Sequence, residues 1–214
     1  MNGQLNRRLI WIPVVHAEAD LGNMSELVRQ IYVKRMGQAK WARHVEDVRE
    51  FWNQVQELIE NLGLAWERVR LYQDGLPNCG HEAEIVGTIA RSGSFNHQLL
   101  LKLMERGAQI MGTESPALLI QEYELARRLL ASGASAENGK SAECVEQNRR
   151  LLDLRDRYIA ERIGQTLAKG ETGLIFLGML HSLKGRLPND IRVTRLCTQT
   201  PLQGLEAEVH RRMA

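Results

Sequence analysis

Cysteine is scarce. Cys79, Cys144 and Cys197 form an odd, widely spaced set, which argues against a secreted disulfide framework and predicts a reducing, cytoplasmic address. Long apolar runs are missing too. The stretch Leu9 to Val15 falls far short of the about 20 residues of a membrane span. It also lacks the small-residue cleavage site of a secretory leader, and it reads as a first strand. Charge interrupts the other long segments every few residues, so a soluble chain with no membrane partner is expected. Charge of one sign is not in excess: 28 Lys and Arg against 26 Asp and Glu leave a net +2. The basic residues are interleaved with acids along the chain, so no electrostatic footprint for nucleic acid is present. The glycines form neither a G-x-G-x-x-G turn nor a Walker-type loop, so no nucleotide cofactor is expected. A G-x-S-x-G elbow is also missing, which removes the simplest serine hydrolase, and no solenoid-length repeat occurs.

What remains is an ordinary globular composition, 43% hydrophobic and 25% charged over 214 residues, read as one α/β domain over 1–214. A chain of this size buries about 70% of the surface its unfolded form exposes. It therefore needs no structural metal, and a metal, if bound, would serve chemistry. Apolar runs bounded by turn formers predict strands at Leu9 to Val15, Gln109 to Gly112 and Gly173 to Leu180, with weaker alternating ones at Arg68 to Tyr72 and Ile191 to Leu196. Helical spacing marks Met24 to Leu62 with a break at Gly37, residues 81–106 with a break at Ser92-Gly93-Ser94, and Pro116 to Leu130 with Ser115 as N-cap. A further helix covers Ser141 to Lys169, preceded by a loop-rich segment, 131–140, expected to be a mobile connection. This alternation predicts a mainly parallel open sheet of about five strands with helices on both faces.

In such sheets ligands bind beyond the carboxyl ends of the strands, so the polar residues at the strand ends are the candidates. The first strand runs into His16, Glu18 and Asp20, the second into Asp74, the third into Glu114 and the fourth into His181. Two imidazoles and several carboxylates on one edge would suit a divalent transition metal, with His16, Glu18, Asp74, Glu114 and His181 as ligands, or a His and Glu pair that activates water. Each residue also has a structural reading. Glu114 precedes Ser115-Pro116 and could serve the helix dipole, Asp74 before Gly75 could be turn chemistry, and a histidine at a strand end is often only hydrogen-bonded. His181 is expected to project past its strand into the cleft, so that its loss would spare the fold. Cys79 and His81 in NCGHE form a lone C-x-H, read as a polar turn ahead of a helix, and His44 and His97 fall inside helices.

The segment Gly178-Met179-Leu180-His181 is a G-x-x-H element, preceded by a helix carrying Arg155-Asp156. This resembles the C-terminal signature of the superfamily of TraB/PrgY-type proteins, Tiki proteases, haem-binding ChaN proteins and erythromycin esterases, in which an Arg-Asn or Arg-Asp helix leads into a strand ending in G-x-x-H. The family's first-strand G-x-x-H is matched at His16 but has Pro13 in place of Gly, and a family acid at an internal strand end would fall on Glu114. The resemblance covers about a third of the chain, and YQDGLPNCGHEAEIV has no counterpart in familiar members. It implies a site of His16, Glu114 and His181, with Arg155 stabilising an oxyanion or anchoring an anionic substrate group.

Three functional classes follow. The first is a hydrolase, peptidase-like or esterase-like, acting on a small-molecule or peptide substrate, either metal-dependent or water-activating. The second is a non-catalytic haem or small-ligand binding protein, and the third a regulatory interaction protein working through its long helices. A homo-oligomer is compatible with each.

Overall fold

Five short stretches are apolar enough to pair as strands, and their order in the sheet decides where the polar strand ends meet. A computed structural model describes residues 7–15, 25–131 and 142–197. The strands are β1 (Arg7–Pro13), β2 (Val69–Gln73), β3 (Gln109–Met111), β4 (Thr172–Leu177) and β5 (Ile191–Arg195). They form one sheet in the order β3-β2-β4-β1-β5, with every pairing parallel. The helices are α1 (Ser25–Met36), α2 (Gln38–Glu60), α3 (Glu82–Arg91), α4 (Phe95–Glu105), α5 (Pro116–Ala131) and α6 (Ala142–Thr166). The expected α/β class with a parallel sheet is thus the observed one, and the break at Gly37 has a cause: its φ of 87° lies where only glycine is at ease.

Side-chain alternation along the central strands sorts the core into two layers. Ile10 and Ile12 of β1, Val69 and Leu71 of β2, and Leu174 and Phe176 of β4 face α2, α3 and α4, where Val48, Phe51, Trp52, Val55, Val86 and Leu100 meet them. The intervening residues Leu9, Tyr72, Ile175 and Leu177 face α6 through Ile159, Ala160, Ile163 and Leu167. A strand buried on both faces must be apolar at every position, which is why the run in β4 is continuous. The edge strands differ. β5 buries only Ile191, and β3 buries none of its three residues fully.

Several boundaries differ from expectation: β1 runs Arg7–Pro13 rather than Leu9 to Val15, and β2 runs Val69–Gln73 rather than Arg68 to Tyr72. β4 ends at Leu177 rather than Leu180, because the Gly178 carbonyl accepts the His181 N–H at 3.2 Å and turns the chain out of the sheet. The last helix stops at Thr166 rather than Lys169. The anticipated 131–140 connection lies, past Ala131, outside the described residues. Pro13 sits at the last ladder position of β1, beyond the end of β5 pairing at Trp11, so its missing N–H interrupts no ladder. No helix among the described residues is long and apolar enough to cross a membrane.

Candidate functional site

The chain places its connections on opposite sides of the sheet around β4, between β2 and β1. Such a switch leaves a crevice at the carboxyl edge. A cleft of about 440 Å³ lies there, lined by Val14 and Val15 after β1, Gln73 to Leu76 at the end of β2, and Gly178 to His181 after β4. Helix α6 must return to the amino edge to enter β4, so the turns upstream of its sheet-packed stretch Ile159 to Ile163 stand at the carboxyl edge. Arg155 and Asp156 occupy that position and are both buried. A second hollow of about 610 Å³ runs along α6 against residues 186–188. It is open and, among the described residues, holds none of the expected side chains.

Arg155 ties the strand ends together. Its Nε donates to Glu114 Oε2 at 2.6 Å, and its Nη2 donates to Glu114 Oε1 at 2.5 Å and to Asp74 Oδ1 at 2.9 Å. Its Nη1 donates to Glu122 of α5. Glu114 is fully buried and also accepts the Gly75 N–H at 2.9 Å. Burial pushes the Glu114 carboxyl up from its ordinary range, opposed by Arg155 and aided by the nearby charge of Asp74. Burial would lower Arg155, but its bonds to Glu114 and the charges of Asp74 and Glu122 hold it above its ordinary value.

The second half of the site is a dyad. His181 Nδ1 lies 2.6 Å from Asp156 Oδ1, and Asp156 Oδ2 accepts the Ser182 N–H at 2.9 Å. On the other side of the ring, Nε2 lies 3.5 Å from Asp74 Oδ1. Burial works against the charged imidazole, but Asp156 and Asp74 outweigh it and raise the His181 pKa to about 9. The glycine of G-x-x-H has a physical task here. Asp74 Oδ2 accepts the Gly178 N–H at 3.0 Å, and a Cβ at Gly178 would stand only 3.0 Å from that oxygen.

Of the residues expected from the sequence, Asp74, Glu114, Arg155 and His181 are brought together, while His16, Glu18 and Asp20 lie outside the described residues. Glu114 is held by the Gly75 N–H and Arg155, three residues past the end of β3. Cys79 and His81 are exposed, with Cys79 N–H bonded to Glu82 and His81 beside Glu84. His44 and His97, read as ordinary helix residues, both line the cleft. His97 Nδ1 lies 2.8 Å from Ser94 Oγ, and His44 stacks on Tyr32 with ring centroids 5.5 Å apart. Glu122 and Asn96 were missed altogether. A glutamate on a mostly exposed helix and an asparagine after a helix cap carry no signal in one sequence.

Asp74, Glu114 and His181 each offer a ligand atom within 4.8 Å of the others, a spacing that a metal ion could bridge. The arrangement fits one poorly. Both Glu114 oxygens already accept N–H groups, three in all, two of them from a fixed guanidinium. The carboxylates of Asp156 and Asp74 also raise the His181 pKa to about 9 against the effect of burial, so a metal at this ring would have to compete with a proton.

No family model matches this chain, and no curated protein or solved structure matches it either. The superfamily resemblance therefore stands on the short motifs alone.

Proposed function

We propose that the chain is a hydrolase that activates water without a metal and acts on a small-molecule or peptide substrate in the carboxyl-edge cleft. The observation that carries this reading is His181 held between two carboxylates, with Asp156 fixing Nδ1 and Nε2 facing Asp74. A group that is protonated at neutral pH and aimed by a second residue is suited to general acid catalysis. Asp74 takes a proton from the attacking water as the water oxygen bonds to the acyl carbon. His181 Nε2 gives its proton to the leaving group as the acyl bond breaks. Transfer of the proton from Asp74 to Nε2, 3.5 Å away, restores both groups. Arg155 has its donors on Asp74, Glu114 and Glu122, so it acts as a positioning residue that orients the base, in place of gripping a substrate anion. The haem-binding alternative draws less support, because His181 is flanked by carboxylates rather than open to an axial position.

The test is turnover of a panel of chromogenic esters and amides by the purified chain, with and without a chelator. Hydrolysis unchanged by chelation supports the proposal. Hydrolysis abolished by the chelator and restored by a divalent ion would favour the metal reading, for which the Asp74, Glu114 and His181 grouping is the supporting observation.

A further inference from the structure

A chain of hydrogen bonds fixes which way Asn96 faces. The Asp74 carbonyl can only accept, so Gln73 turns its Nε2 toward it at 3.1 Å. Gln73 Oε1 is then the atom left for Asn96, which donates to it from Nδ2 at 2.9 Å. The Oδ1 of Asn96 is consequently left as a buried acceptor with no partner among the described residues, on a side chain that lines the cleft and is 1% exposed. An unmet buried acceptor costs about as much as a lost hydrogen bond, so a donor from a ligand would repay it.

Charge points the same way. Asp74, Glu114, Glu122 and Asp156 surround Arg155 and His181. Four carboxylates against two cations leave a negative surplus, and one remains even with Glu114 protonated. The same cleft also has apolar lining, from Val15, Leu76, Ile85, Ile89 and Leu152.

We infer that the substrate recognised in this cleft carries a cationic, hydrogen-bond-donating amine beside an apolar body, with Asn96 Oδ1 as a specificity-determining acceptor. This rests on the reading that the cleft is the substrate site. An ammonium supplies both the donor that Asn96 lacks and the charge that the carboxylates leave uncompensated, while the hydrocarbon part of the ligand meets the apolar lining. A carboxylate ligand would meet repulsion and leave Asn96 Oδ1 unmet.

The experiment is calorimetric titration of the full chain with phenethylamine, phenethyl alcohol and phenylacetate, each free of a scissile bond. The amine is expected to bind at least tenfold more tightly than the alcohol, and phenylacetate more weakly than either. Asn96→Leu, with its melting temperature checked, should lower amine affinity about tenfold, a loss in the range of one buried hydrogen bond. If that variant does not fold, Glu122→Gln, at the half-exposed rim, should weaken the amine and leave the alcohol unchanged. Equal binding of the three probes, binding of none, or amine affinity untouched by the folded variant would overturn the inference. Amine binding without hydrolysis of any ester or amide would sink the hydrolase reading and leave this one standing. Hydrolysis with no preference for an amine would do the reverse.

Discussion

Asp156 and His181 are 25 residues apart in the chain and 2.6 Å apart at Oδ1 and Nδ1. Asp156 leaves α6 on the side facing the loop after β4, and its second oxygen caps the Ser182 N–H. One carboxylate thereby fixes both the imidazole and the backbone that carries it. Its neighbour Arg155 points to the ends of β2 and β3, so an Arg-Asp pair on one helix organises three strand ends.

The His181 pKa, raised to about 9 by Asp156 and Asp74 against the opposing effect of burial, makes a signed prediction. A histidine whose folded pKa exceeds its unfolded value near 6.5 adds stability that is complete below 6.5 and disappears as pH rises through 9. Melting temperature should therefore fall between pH 6.5 and 9.5, and Asp156→Asn should flatten that slope. An NMR titration placing the imidazole near 6.5 would contradict the dyad.

Gly178→Ala should damage the site more than an exposed Gly→Ala change would. The added Cβ would sit 3.0 Å from Asp74 Oδ2, tight enough that the carboxylate must move or lose its bond to the Gly178 N–H. Loss of that charge-assisted bond should cost about 1.5–3 kcal/mol, measured by urea unfolding, with activity falling as Asp74 shifts. Unchanged stability and turnover would mean that Asp74 does not depend on this contact.

Arg155→Met should destabilise by about 3–5 kcal/mol, because it strands buried Glu114 without its countercharge. Adding Glu114→Gln to that variant should recover a large part of the loss. Denaturant unfolding of the two variants and the double variant provides the cycle. Full additivity would show that the two side chains do not act as a pair.

The sheet was legible because its signal is local. β4 and β1 are buried on both faces, and continuous apolar runs such as GLIFLG leave few alternatives. The strand-end rule likewise brought Asp74, Glu114 and His181 to one edge. What it could not supply was the role of each group. Whether Arg155 meets a ligand or the protein's own carboxylates depends on Glu122, one helix away, and no spacing in the sequence encodes that meeting. The same holds for Asn96 and His97, whose positions after the Ser94 cap read as ordinary helix start. His181 is expected from its strand end to leave the fold standing when lost, yet it lines the cleft at 7% exposure and is bonded to Asp156, because the turn at Gly178 folds it back against α6.

The most direct measurement is turnover by His181→Gln beside the wild-type chain, with the melting temperature of each recorded. Burial and the lost bond to Asp156 predict that the variant melts lower, by the equivalent of about 1–3 kcal/mol, yet remains folded at assay temperature. Its hydrolysis should fall roughly 10²–10⁴-fold, the usual share of a general acid or base. A folded variant that hydrolyses as fast as the wild type would contradict the account and leave His181 a structural histidine.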